Sequence, residues 1–493
     1  MKDNLRVRAS HVNRGTSIPR GDLRTGKSGR QLRHPKLRME ARAENVTPYG
    51  GLSLAAALAR RLRIPRELDR SLKLLRSHRP FTESDHVLTH AYNLFSGGMC
   101  IEDIATLQAS EPVRRLLGTK RIPDPTTAGD FLRRFQADDL DDLDGAIDRV
   151  QAEVWRSLSG RRKQPLGIVD IDSHVRPVYG AKKEGADFSY KGGWAYHPLL
   201  ISLAGSNECL RLVNRPGNVA SSQDAEKHLG AIFSLLRNRF RRVVVRGDSA
   251  FFAQKIFDVC EENDAFFAVV APSNEALRAL ADDLPEPAWK KFVPRTQRQN
   301  KPKRRRKRRL ERRRRKARAR GKRDLRLRRQ WIADVDYRPA RSKRTYRLII
   351  RRQRIDETRQ GQLFELWRYR FALTNIRDQS AQHVLDLTYE RCDQENMIEQ
   401  LSNGIAGMRM PTGSLLANAA YLRCARLAHN MKGWLAALAL PPETGRWEWK
   451  RFRLAFVYVA ARVVLKARQV RVILATSHRF HEAILTANAR LQT

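Results

Sequence analysis

Three acidic residues stand where a chain places carboxylates for metal-dependent chemistry. Asp172 closes the apolar run of GIVDIDSH, Asp248 follows that of RVVVRGDSAFF, and Glu395 lies on the helix-like segment RCDQENMIEQL. Phosphodiesters resist hydrolysis because the attacking and leaving oxygens must both carry charge beside an anion. Two divalent ions about 3.5–4 Å apart meet both needs, one activating the nucleophile and one stabilising the leaving oxygen. Hard Mg²⁺ prefers carboxylate oxygens and keeps several waters, so about three acidic side chains suffice for two ions, with Mn²⁺ as a substitute. Asp172, Asp248 and Glu395 are therefore the candidate catalytic residues and metal ligands.

Each acid also has an ordinary reading. Asp172 and Asp248 sit where strand-like runs end, and such residues cap turns. Gly247 permits a sharp exit before Asp248. Asp170 lies two residues before Asp172, on the same face of an extended run, and is its rival as first ligand. Glu395, with Arg391 four residues before it and Glu399 four after, also fits a solvated helix face. His174 and His197 read as structural or polar contacts, with metal ligation the alternative. Lys191-Gly192-Gly193 reads as a turn rather than a phosphate loop.

Composition narrows the class. The chain has 493 residues, with 96 Lys plus Arg against 52 Asp plus Glu and a formal net charge of +44. A charge that large repels itself unless a polyanion neutralises it, which makes nucleic acid the expected partner and an anionic membrane surface the second choice. A hydrophobic fraction of 41% with 18 Phe still requires folded cores. The longest apolar run, Phe456–Leu465, is about half a membrane span and is broken by Arg462. The opening stretch MKDNLRVRASHVNRG lacks the apolar core of a signal peptide, and the five cysteines form no C-x-x-C pair. The expectation is a cytoplasmic protein with neither a disulfide framework nor a zinc site.

The elements that must position the acids follow from periodicity. Residues 1–45, with a net charge of about +8, read as a basic flexible arm. Residues 46–160 read as a helical N-terminal domain for DNA binding and assembly. In it, Thr82–Asp85 resembles a capping box, Gly97-Gly98 is a stop, and Ile101–Gln108, Pro112–Leu117 and Thr126–Phe135 suggest a helix-turn-helix unit. Over 161–272, strands at Pro165–Asp172, His197–Gly205 and Cys209–Val213 precede a helix at Ser222–Asn238. A strand at Arg242–Arg246, a helix at Phe251–Cys260 and a strand at Ala265–Ala271 complete the order β-β-β-α-β-α-β. That is the order of an RNase H-like core, in which the first and fourth strands lie side by side and bring Asp172 to Asp248.

Residues 273–378 interrupt this core with a β-rich insertion. Within it, 301–330 holds about 20 basic residues against about two acidic ones, a low-complexity run expected to lack a packed core. Arg304, Arg305, Arg313 and Arg314 in this run are candidate DNA contacts. Arg347–Arg351 and Leu363–Thr374 read as strands beyond it. Trp331 and Trp367 read as strand-packing residues, with stacking on an unpaired base the alternative. Residues 379–493 complete the core with the third-acid helix and a helical C-terminal region, including a long amphipathic stretch at Leu415–Leu438. The fold class is thus α/β, an RNase H-like catalytic core between helical ends.

These motifs resemble a known family. IDSHVRPVYGAKKEGADFSYKGGWAYHPLL looks like the first-acid region of bacterial insertion-sequence transposases of the DDE type, domain group 1. VVVRGDSAFF resembles their second-acid motif, and RCDQENMIEQL their Tyr-Arg-Glu-Lys signature, with Arg391 and Glu395 at the Arg and Glu positions. YGGLSLAAAL, PDPTTAGDFLRRF, YRFALTN and LLANAAYLRCARLAHNMKGWL extend the similarity over roughly residues 45–475. The signature is partial: Thr388 stands at the Tyr position and Ser402 at the Lys position.

The resemblance implies binding of terminal inverted repeats, assembly as a homodimer on double-stranded DNA, and Mg²⁺-dependent cleavage at element ends followed by strand transfer to target DNA. It selects Asp172, Asp248 and Glu395 as the ligands of two Mg²⁺ and gives Arg391 a phosphate contact. It also implies a bacterial, nucleoid-associated location. The alternatives are an RNase H-like nuclease without strand transfer, and a transposase-derived binding protein with impaired catalysis.

Overall fold

The apolar runs of the middle of the chain meet in one large sheet. The structure, a computed structural model, describes residues 45–160, 162–180, 182–293, 326–356, 366–467 and 469–492. The basic arm, apart from Asn45, and the Arg-rich run up to residue 325, with Arg304, Arg305, Arg313 and Arg314, lie outside them.

After a short strand β1 (Val46–Thr47), seven helices cover residues 52–159: α1 (Leu52–Arg61), α2 (Ile64–Ser71), α3 (Glu83–Ser96), α4 (Ile104–Ala109), α5 (Glu111–Leu117), α6 (Pro125–Leu132) and α7 (Ala137–Ser159). Helix α3 starts with a capping box, the Thr82 hydroxyl accepting from the Asp85 N–H and the Asp85 carboxylate from the Thr82 N–H. It stops at Gly97, whose φ of +103° suits glycine.

The sheet begins with β2 (Gln164–Ser173). A three-stranded flap follows, made of β3 (Arg176–Pro177), β4 (Asp187–Phe188) and β5 (Trp194–Tyr196), with β5 in the middle. Then come β6 (Leu199–Leu203), β7 (Glu208–Val213), α8 (Ala225–Arg239), β8 (Phe240–Gly247), α9 (Gln254–Glu262), β9 (Phe266–Ala271), α10 (Glu275–Asp282), β10 (Lys290–Lys291), β11 (Arg326–Tyr337), β12 (Tyr346–Asp356) and β13 (Leu366–Thr374). The nine strands are ordered β10-β11-β12-β13-β9-β8-β2-β6-β7, with β2, β8 and β9 mutually parallel and the other neighbours antiparallel. Side chains alternate between two cores, as strand geometry requires: Val243 and Val245 face α8 and α9, while Val244 joins Ala268, Val384 and Leu385 on the other side. Cover on both faces is why these strands read as unbroken apolar runs.

The strands of the insertion extend the core sheet, Phe371–Thr374 of β13 pairing with Ala268–Ala271 of β9. Two features differ from the sequence reading. The end of the Arg-rich run, from Arg326, belongs to β11. The C-terminal region is not wholly helical. After α11 (Ala381–Tyr389), α12 (Cys392–Glu399), α13 (Leu415–Leu438) and α14 (Trp449–Phe456), strands β14 (Ala461–Lys466) and β15 (Gln469–Leu474) form a small sheet with β1, before α15 (His481–Gln492).

Helix α13 is buried on nearly every side rather than amphipathic, because α1, α3, α6, α7 and β7 enclose it. Its two internal arginines would be prohibitive there without partners. Arg423 and Arg426 bind Asp144 of α7 at 2.8 and 2.6 Å, and Asp148 bridges Arg426 and Arg211 of β7, each at 2.6 Å. The helices of residues 52–159 thereby share one core with those of the C-terminal region.

Candidate active site

Strand β2 delivers two aspartates to different fates. Asp170 pairs in register with Arg246 of β8, and both are buried. The Arg246 guanidinium donates from Nε and Nη2 to the two Asp170 oxygens, each at 2.7 Å, and from Nη1 to the Leu387 carbonyl. Both carboxylate oxygens of Asp170 are thus engaged by a buried cation. Asp172, two residues on, is partly exposed at the strand end.

The parallel register that sets Asp170 beside Arg246 carries Asp172 toward Asp248, just past the end of β8. Gly247 is needed there for closeness: a Cβ would meet the Phe251 Cβ at 2.9 Å and the Ile171 Cγ2 at 3.3 Å. Asp248 then caps a 3-10 turn, Ser249–Phe251, its Oδ1 accepting from the Ala250 N–H at 2.9 Å. The turn-cap reading of Asp248 is thus observed directly. Burial pushes the Asp172 carboxyl above the usual carboxylate range, and the charges of Asp248 and Asp170 add to this. Arg391 and the Ser173 N–H work in the opposite direction.

Arg391 is the N-cap of α12, and its side chain turns toward β2. Nη2 donates to the Ile171 carbonyl at 3.0 Å and to Gln394 Oε1 at 3.2 Å, and lies 3.7 Å from Asp172 Oδ2. Gln394 reaches the carbonyl of Leu200, the residue paired with Asp172 on β6, at 3.4 Å. The start of α12 is therefore fastened to the end of β2. Glu395, the next residue, points outward and is exposed. Among the described residues no three His, Cys, Asp or Glu side chains gather closely enough to hold one ion. Carboxylates repel one another, and here the Arg391 cation stands beside Asp172.

The donor chemistry of the pair suits a hard divalent ion. Two partly exposed carboxylates leave room for the waters such an ion keeps, and an ion would reverse the upward shift of Asp172. His197 donates from Nδ1 to the Val219 carbonyl at 2.9 Å, the tautomer being assigned from that contact, and lies under the Tyr190 ring rather than in a ligand set. His174 is held through its backbone N–H to the Pro198 carbonyl at 3.0 Å.

Thr388 and Ser402 are buried, one hydroxyl bonded to the Val384 carbonyl at 2.7 Å and the other to Met408 Sδ at 3.2 Å. Neither is placed to meet a phosphate. Trp331 and Trp367 pack edge to face at 5.4 Å, with the Arg352 guanidinium between them and Trp289, so they serve strand packing. Sequence reasoning missed Arg246, Gln394 and the flap. Arg246 had a signal in its place just before Gly247-Asp248, but its partner depends on the register between two distant strands.

Fold and site define an α/β protein with an acidic pair at the carboxyl ends of adjacent parallel strands. The family described as Transposase DDE domain group 1 matches residues 30–493, and the chain belongs to it. No curated protein matches the chain. Among solved structures, the chain is similar to a piggyBac transposase determined by cryo-EM as a synaptic complex with hairpin DNA. Identity is 8% and the TM-score 0.34, over 82% of this chain and 78% of that one. Among the described residues no helix is long and apolar enough to cross a membrane.

Proposed function

We propose that this transposase cuts and joins DNA strands at the ends of a mobile element, with Asp172, Asp248 and Glu395 as its catalytic acids. The observation that carries the reading is the parallel register of β2 and β8, which sets Asp172 and Asp248 at neighbouring strand ends in a family defined by such acids. The sheet order β7-β6-β2-β8-β9, with two antiparallel pairings and then two parallel ones, supports an RNase H-like core.

In this reading Asp172 and Asp248 hold the divalent ions, Mg²⁺ or Mn²⁺. When bound, the metal supplies activation of water or a 3′-hydroxyl and stabilisation of the leaving oxygen. Arg391 orients Asp172 and favours its ionised form. Glu395, next to the Gln394 that ties α12 to β6, would be the third ligand. DNA in two roles, element end and target, is the partner, with a homodimer as the working assembly. The net charge of +44 supports a polyanionic partner.

The deciding experiment is strand cleavage with Asp248→Asn in Mg²⁺. Loss of cutting with retained DNA binding is expected; a variant that still cuts would falsify the assignment. Thr388 and Ser402, buried where the family signature has Tyr and Lys, favour as second reading a binding protein with impaired catalysis. Strand transfer of pre-cut ends separates the two.

A further inference from the structure

We propose that the flap β3-β5-β4 is a stacking platform for unpaired bases of the DNA strand whose phosphates approach Asp172 and Asp248. The proposal rests on the reading of the chain as a DNA-cleaving transposase and adds to it a subsite that the acids do not need.

Of the five exposed aromatic side chains among the described residues, four stand on this flap: Tyr179, 98% exposed, Phe188, 66%, Tyr190, 73%, and Trp194, 43%. Phe188 and Trp194 are directly paired across β4 and β5, their rings edge to face at 6.5 Å on the outer side. Tyr190 lies at the turn that joins these strands, where Gly192 and Gly193 adopt φ of +80° and +92° and bring the chain back. Exposed rings in such number are costly in water and mark a binding face.

The flap is fixed from behind, so the rings are presented rather than merely unburied. Ala186, Ala195 and Tyr196 are buried beneath it. The Arg176 Nε donates to the Met408 carbonyl at 2.9 Å, the Lys183 Nζ to the Met410 carbonyl at 2.6 Å, and the Tyr196 hydroxyl to the Glu184 carbonyl at 2.7 Å. The Glu184 carboxylate, the nearest acid on the flap besides Asp187, is itself held by the Leu415 N–H at 3.0 Å.

Position and charge identify the occupant. The flap leaves β2 two residues after His174-bearing loop begins, and its tip folds back so that Tyr190 lies 5.8 Å from the His197 ring, next to the strand end that carries Asp172. Lys182 and Lys191 are exposed around the rings, with the Lys191 Nζ 5.7 Å from the Tyr190 centroid. Aromatic rings interleaved with cations, beside a phosphodiester site, match a single strand: every base offers a π-face, and its phosphate meets the lysines. A fully paired duplex hides those faces, so the platform selects frayed or cut ends.

The test uses the full chain in EDTA, where no strand is cut. The probes are a blunt duplex and the same duplex with a three-nucleotide overhang containing 2-aminopurine. Wild type is expected to bind the overhang on the order of tenfold tighter than the blunt end and to quench its fluorescence. Phe188→Ala/Trp194→Ala should lose the quench and the preference while keeping the blunt-duplex affinity. Tyr190→Ala, at an exposed turn where folding is not at stake, should lose part of both. Unchanged quench and preference in these variants would overturn the proposal. So would a change confined to oligomeric state, which would make the face a protein contact. Wild type that binds neither probe would sink the DNA-cleaving reading as well, whereas binding without preference sinks the platform alone.

Discussion

Arg246 on β8 and Asp170 on β2 form a two-pronged ion pair, 2.7 Å at each prong, inside the sheet and two residues short of Asp172. The pair divides two aspartates that sequence alone leaves as rivals. Removing one partner of a buried pair strands the other charge, at about 3–5 kcal/mol. Asp170→Asn is therefore expected to lower stability by that order. Asp172→Asn removes a charge that burial and Asp248 already disfavour, and should leave the metal-free protein as stable as wild type or slightly more so. Chemical denaturation of both variants at pH 7 measures the contrast. Equal destabilisation would show that Asp172 is as structural as Asp170.

Arg391 joins α12 to β2 through the Ile171 carbonyl, Gln394 and Asp172. Arg391→Ala should lower the cleavage rate by about 10²-fold or more, in the range of lost electrostatic positioning, with DNA affinity changed far less. Arg391→Lys should restore part of it, because all three acceptors meet the single nitrogen Nη2 and an ammonium keeps the charge and three donors on a different reach. Single-turnover cleavage beside a binding isotherm makes the measurement. A proportional loss of affinity would return Arg391 to the phosphate-contact role that family resemblance implies.

Much of this was legible in the sequence, and what was not has a common cause. The runs ending at Asp172 and Asp248 stand out because strands covered on both faces are apolar throughout. Pairings over long separations leave no local trace. Phe371–Thr374 joins β9 about a hundred residues upstream, and nothing local shows that the insertion's strands continue the core sheet. The flap strands are only two or three residues long, below what alternation can reveal. Thr388 and Ser402 read as departures from a DNA-contact set, and burial shows what they do instead.

Desolvated histidines make the fold less stable as pH falls. Burial lowers His86, His90, His228 and His429 to about 4 each. The unfolded chain binds these protons near pH 6.5, while the folded chain refuses them until about pH 4. Their contribution is present above pH 6.5 and is lost as pH falls toward 4, by up to about 1.4 kcal/mol per pH unit for each histidine. Thermal midpoints between pH 7.5 and 4.5 should fall through that window. His90→Gln, which keeps a donor for the Ala128 carbonyl, should flatten the fall. An unaltered slope would mean that His90 is protonated in the fold.

The Arg-rich run supplies the last prediction. Residues 301–325 carry a net charge of about +15 and connect β10 to β11 at the far edge of the sheet from β7. Each phosphate that a cation neutralises releases condensed counterions, so log affinity falls against log salt with a slope of about −0.9 per contact on duplex DNA. If about six of these cations meet phosphates, replacing 301–325 with a short Gly-Ser linker should make the slope shallower by about 5. Affinity should fall most at low salt, where the counterion term is largest. Strands β10 and β11 remain in the replaced protein, so a folded sheet is expected and circular dichroism checks it. Binding to one duplex at several salt concentrations gives the slope directly. A slope that does not change would make the run a connector and shift the charge that holds DNA to the arm at 1–45 or to the face around Asp172.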